Sequence, residues 1–185
     1  MSGGRKHKKK SQSHLTQPLA STPQKNKRYW AGIDPGKNGA VVLLSKDGFE
    51  AGYLFRKCLF RNQWEYPRLV ELFERVAEFE PESVIEIQHP VSRQGLKSTF
   101  VTGFGYGVLI GCLNCIGIRY TEIRAKAWKE VIKEKTDDTK KDAINTAYAL
   151  FPELSIATKA KHSGLADAAC MALYARRLSN GKATD

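Results

Sequence analysis

Trp30-Ala31-Gly32-Ile33-Asp34-Pro35-Gly36-Lys37-Asn38-Gly39-Ala40-Val41-Val42-Leu43-Leu44 reads as two apolar strands joined by a tight turn. Pro35 presets φ, and Gly36 and Gly39 admit the backbone angles of a sharp reversal, so the chain turns straight after Asp34. A carboxylate is left at the end of a strand whose other residues favour burial. Such an acid is expensive to bury unless a cation meets it. Asp-Pro-Gly taken alone is equally a plain hairpin turn, and two later acids in similarly apolar company decide between the readings.

Working outward, 185 residues with 42% hydrophobic content suit one globular domain. No apolar run is expected to reach membrane-spanning length. The net charge of +11 is unevenly placed. Residues 1–28 carry 8 of the 30 basic residues and no acid, leaving the body near balance. This stretch, rich in Lys, Ser, Gln and Pro, reads as a disordered basic tail suited to a polyanion, and residues 29–180 as the folded domain. The tail lacks the apolar centre of a secretory signal. Its freedom from acids fits an organellar transit peptide, and Gly4-Arg5-Lys6-His7-Lys8-Lys9-Lys10 fits a nuclear address, so the compartment stays open. Cys58, Cys112, Cys115 and Cys170 read as reduced structural thiols of an intracellular protein; Cys112 and Cys115 have knuckle spacing without a matching second pair.

The pattern predicts strands at 29–34, 39–45 and 49–56, with Lys46-Asp47-Gly48 turning the second hairpin. A helix is expected at 66–79, ended by Pro81, then a strand at 83–88. A Gly-punctuated helix at 99–116, a strand at 118–124, and helices at 126–133, 139–150 and 164–178 follow. Three strands and then alternating strands and helices describe an α/β protein with a mixed sheet flanked by helices. Gly103, Gly107 and Gly111 form a small-residue stripe for close helix packing, within the domain or across a dimer.

Glu86 is the second acid. Alternation puts it on one face with Val84 and Gln88 while Ile85 and Ile87 take the other, so a carboxylate sits on an inner strand. A salt bridge to an arginine such as Arg124 is the competing explanation. Asp167 is the third, the one charge in Leu165-Ala-Asp-Ala-Ala-Cys-Met-Ala-Leu-Tyr-Ala175. Stabilisation at a helix N-terminus competes there. Together the three offer hard oxygen ligands from rigid elements, the donor set of a divalent-metal site suited to phosphodiester hydrolysis.

Ile33-Asp34-Pro35-Gly36, Ile85-Glu86 and Gly164-Leu165-Ala166-Asp167-Ala168 resemble, in order, the motifs of the RuvC-type Holliday junction resolvases of the RNase H-like superfamily, closest to their phage and chloroplast branches. Gln94-Gly95, Lys97-Ser98, Phe100 and the three glycines resemble the segment after the glutamate in phage relatives. Ala125-Lys126-Ala127-Trp128-Lys129 and Thr139-Lys140-Lys141 match later basic motifs, so the likeness runs from about residue 29 to 178. It implies an RNase H-like fold and a homodimeric endonuclease, dependent on Mg²⁺ or Mn²⁺ and carrying two ions per site. Its substrate would be the four-way DNA junction, cut by symmetric nicks.

By the resemblance, Asp34, Glu86 and Asp167 are the metal-binding carboxylates. A fourth acid, usual one turn before the last, is replaced by the region Lys161-His162-Ser163-Gly164; Ser163 would share a helix face with Asp167, and His162 is favoured as ligand or proton carrier over a solvated histidine, with the choice between His162 and Ser163 for the fourth position left open. His89, Arg93, Gln94 and Lys97 are expected to approach the branch point, and Lys126, Lys129, Lys140, Lys141 and Lys161 to meet phosphates. The rivals are a catalytically impaired junction binder and a transposase-related nuclease core, which would need a further C-terminal catalytic segment. A sugar-kinase or actin-like ATPase needs a duplicated fold and far more residues.

Overall fold

A computed structural model of the chain describes residues 22–90, 94–132, 139–154 and 163–181. The quoted stretch forms β1 (Tyr29–Asp34) and β2 (Ala40–Ser45), paired antiparallel from Tyr29–Ser45 to Asp34–Ala40. The turn between them depends on glycine: Gly36 has φ 119°, and a Cβ on Gly39 would lie 1.9 Å from the Asp34 carbonyl oxygen. β3 (Gly48–Leu54) pairs with β2 across a two-residue loop, Lys46-Asp47. It gives way to a 3₁₀ turn at Phe55–Cys58, two residues before the predicted strand end.

An element absent from the sequence reading follows. β4 (Leu59–Phe60) and β5 (Gln63–Trp64) make a small separate hairpin through Arg61-Asn62. α1 (Tyr66–Ala77) then returns along the sheet with Leu69, Leu72, Phe73 and Val76 buried. β6 (Glu82–Glu86) joins β1 in parallel, α2 (Leu96–Ile116) crosses over, and β7 (Tyr120–Ile123) joins β6 in parallel. α3 (Ala125–Ile132), α4 (Thr139–Leu150) and α5 (Ser163–Ser179) complete the described chain. The five-stranded sheet runs β3-β2-β1-β6-β7.

Strand alternation sends the two faces of this sheet into two cores. Trp30, Val42, Leu44 and Val84 pack against α3, α4 and α5; Ala31, Ile33, Val41, Leu43 and Ile85 pack against α1 and α2. The result is a three-layer α/β/α arrangement, the class expected. Cys58 and Cys170 are buried as small hydrophobes, and burial pushes their thiols up to about 11 and about 12.

α5 lies across β1 because both are pared to backbone where they touch. A Cβ on Gly32 would fall 2.0 Å from the Ala168 carbonyl oxygen and 2.3 Å from the Ala172 nitrogen. Alanines 166, 168, 169, 172 and 175 keep the rest of that approach close, and all are buried.

α2 behaves differently. Leu109 and Leu113 are fully buried, whereas Leu96, Phe100, Val101 and Phe104 are exposed. Positions 103, 107 and 111 face open space, so the glycine stripe is not spent on packing within the domain. One expectation needs correction: α2 is 21 residues of unbroken helix, long and apolar enough by length and composition to cross a bilayer. Its glycines and weak amphipathic signal disguise that length in the sequence.

The entrance to β1 is clamped. Lys27 Nζ meets Glu50 Oε1 at 2.5 Å and Asp47 Oδ2 at 3.1 Å, and Arg28 pairs with Glu82 at 2.5 Å. Residues 1–21, most of the predicted tail, lie outside the described residues.

Candidate active site

The parallel pairing decides where the acids go. β1 and β6 run in register, Ile33 beside Ile85, so the next residues, Asp34 and Glu86, emerge together at the carboxyl edge of the sheet. Open α/β sheets receive ligands at that edge. The turn after β1 and the start of α5 close over it. A Cβ on Gly164 would lie 2.4 Å from the Asn38 carbonyl oxygen and 3.1 Å from Asp34 Oδ2, so only glycine lets α5 begin against the carboxylate.

Asp167, in the second turn of α5, completes the electrostatic group. Burial, then the negative charges of Asp167 and Glu86, hold the Asp34 carboxyl well above its ordinary 3.8, against the opposing pull of Lys129. The helix-terminus explanation for Asp167 fails, because the first turn of α5 contains no acid. Nor is Arg124 the partner of Glu86. Trp128, fully buried on α3, donates its indole N–H to Glu86 Oε2 at 2.7 Å.

Lys129 follows on the same helix, its Nζ 5.2 Å from the centre of the Trp128 ring and close enough to act on Asp34. One carboxylate oxygen of Glu86 is thus held in place and a cation flanks the group. Sequence reasoning had Trp128 only as part of a motif.

The donor chemistry fits a hard divalent cation. Three carboxylates gather at one edge and offer hard oxygen donors. Among the described residues no three ligating side chains close into a ready-made cage, so the acids share a field at this edge without touching as a ligand cluster.

The other expected site residues divide. Gln94 Nε2 donates to Ser98 Oγ (3.0 Å) and Thr102 Oγ1 (3.3 Å), tying the loop after Glu86 to the first turns of α2, with His89 and Lys97 exposed on either side. Lys126 is exposed and ion-paired to Glu130 at 3.7 Å. Lys140 and Lys141 fall in the first turn of α4, where the side chains are outside the described set. Arg93, Lys161 and His162 lie outside the described residues altogether; Ser163, partly buried, is the first residue of α5.

No protein-family profile matches the chain, and no curated protein matches it in sequence. Solved structures do match. Thermus thermophilus RuvC in complex with a Holliday junction substrate superposes with a TM-score of 0.55 and 19% identity, over 85% of this chain and 98% of that one. The fold is that of RuvC. A second Thermus thermophilus RuvC structure gives a TM-score of 0.56 at the same identity, over 84% and 98%. The RuvC-like fold takes in most of the chain, as the resemblance of the scattered acidic motifs had implied.

Proposed function

We propose that the protein is a structure-selective DNA endonuclease that resolves four-way junctions by divalent-metal-dependent, symmetric phosphodiester cleavage. The observation that carries this reading is the gathering of Asp34, Glu86 and Asp167 at the carboxyl edge of a RuvC-like sheet.

In this reading Asp34, Glu86 and Asp167 hold Mg²⁺ or Mn²⁺, and His162, immediately ahead of α5, is the fourth ligand or a proton carrier. Bound divalent ions would supply the water activation and charge neutralisation that phosphodiester hydrolysis requires. The chain's own residues do the rest. Trp128 fixes the rotamer of Glu86, Gly164 and Gly39 bring the backbone of α5 and the turn onto Asp34, and Lys129 offers a cation to a phosphate oxygen. Lys126, Lys140, Lys141 and Lys161 add sequence-independent phosphate affinity, and His89, Arg93, Gln94 and Lys97 face the branch.

Symmetric nicking needs two sites, and α2 supports a homodimer. Phe100 and Phe104 stack on each other at 6.2 Å on its exposed face, while Gly103, Gly107 and Gly111 leave a shallow track that a second helix can enter closely. Gly107→Leu should turn a dimer into a monomer in sedimentation velocity. A wild type that is already monomeric, or that partitions onto vesicles through this helix, overturns the dimer.

The function is tested with a labelled synthetic four-way junction and a matched linear duplex, in Mg²⁺, in Mn²⁺ and in chelator. Paired nicks in the junction alone, lost with chelator, are expected. Tight junction binding without cleavage under either metal leaves the catalytically impaired binder, and cleavage of both substrates alike removes the structure selectivity.

A further inference from the structure

The β4–β5 hairpin has no part in the site described above, yet it stands beside it. β3 runs parallel to β1, so its end, the 3₁₀ turn and the hairpin all leave the sheet at the edge where Asp34 emerges. Phe55 N donates to the Gly39 carbonyl at 3.0 Å, fixing that exit against the turn after Asp34. Lys37, three residues past Asp34, donates from Nζ to the Asn62 carbonyl at the hairpin tip. Trp64 plants the base of the hairpin: its ring lies 3.8 Å from where a Gly105 Cβ would be, in the first half of α2. The tip is therefore held from the catalytic turn on one side and from α2 on the other.

What it displays is chemically distinct. Phe60 is 59% exposed, unusual for a phenylalanine that has a core within reach. The Arg61 guanidinium sits over its ring at 5.3 Å. Arg61 and Asn62 have φ of 47° and 63°, the left-handed pair of a tight hairpin turn. Asparagine tolerates that conformation, whereas an arginine there is uncommon. Arg56, Lys57 and Tyr66 are exposed around it, and residues 51–64 contain no acid.

We infer that the Phe60–Arg61 hairpin tip is a second DNA contact, in which an unpaired or splayed base next to the cut site stacks on Phe60 while Arg61 holds the adjoining phosphate. An aromatic face with a flanking cation is the recurring platform for single-stranded nucleotides, and it works without reading sequence. Placed beside the acids, it would position the scissile strand through the nucleotides around it. The inference rests on the proposed nuclease reading for its substrate, and its own content is which element grips the strand.

The test compares the wild type with Phe60→Ala and Arg61→Gly, the latter chosen because glycine favours the turn's backbone and removes only the side chain. Each is titrated, in Ca²⁺ to prevent cutting, against a four-way junction carrying 2-aminopurine at the branch and against a linear duplex. Base stacking on the protein changes the 2-aminopurine signal in the wild type. Phe60→Ala should lose that change and bind the junction about tenfold more weakly, within the range of one base–aromatic stack. Linear-duplex affinity should move less than about twofold, and thermal midpoints should match. Arg61→Gly should weaken junction binding with a smaller salt dependence. Unchanged junction affinity and an unchanged 2-aminopurine signal in both variants overturn the inference. A wild type with no preference for the junction instead removes the proposed function, a separate result.

Discussion

Among the described residues α2 and α5 are the two longest helices, and they use their apolar side chains in opposite ways. α5 buries ten of its residues, beginning with Gly164 and ending with Ala175, and seats itself on β1 through glycine and alanine. α2, four residues longer, buries only Gly105, Leu109 and Leu113 and leaves stacked phenylalanines and a track of glycines outside. Small residues mean backbone contact already made in α5 and backbone contact still on offer in α2. The closed helix builds the site; the open one leaves an apolar surface facing outward.

The comparison is put at risk most strongly at the site itself. Asp34→Asn should lower junction cleavage by a thousandfold or more, about 4 kcal/mol of transition-state stabilisation, in single-turnover assays, while binding survives. Retained cleavage would mean that the closed helix frames something other than the active site.

A matched pair of glycine substitutions should then move in opposite directions. Gly32→Ala drives a methyl into the α5 backbone at Ala168 and should cost at least about 3 kcal/mol in urea unfolding. Gly107→Ala meets nothing in the domain and should stabilise the monomer by about 0.5–1 kcal/mol through helix propensity. Losses of equal size at both positions would erase the distinction between the two helices.

Trp128→Phe keeps an aromatic ring, though a smaller one, and takes the donor from Glu86. Mn²⁺ affinity, read from the free-ion EPR signal, should fall about tenfold with the fold intact. No change there would reduce Trp128 to a core residue.

The smallest effect concerns pH. Because the folded state holds the Asp34 carboxyl well above 3.8, the proton is bound more tightly folded than unfolded, so ionising Asp34 costs stability. Wild-type stability should decline as pH rises from near 4 through the raised folded value. Asp34→Asn should lack that decline and, above it, melt about 2–4 °C higher.

Much of this was legible in the sequence for a physical reason. Asp34, Glu86 and Asp167 stand out because a charge in apolar company demands an explanation, and strand alternation put Glu86 on the face of Val84, where it lies. The hairpin at 59–64 was not legible: Arg61-Asn62 adopts a left-handed turn without the glycine that usually announces one. Nor did composition show which way the α2 glycines face, since a stripe of small residues looks the same whether it is packed within the domain or open. Trp128 was hidden for a related reason, because a buried tryptophan reads as core until its N–H is seen to end on a carboxylate.

The clamp at the entrance to β1 has a practical consequence. Lys27 and Arg28 are pinned at the amino end of a strand whose other end carries Asp34, five steps or roughly 17 Å along the sheet. Whatever is attached upstream of residue 27 therefore leaves the domain from the pole opposite the carboxylates. A surface tether or fluorophore placed on that side would hold single molecules with their acidic edge turned toward solution, free to receive a long DNA without steric interference from the support.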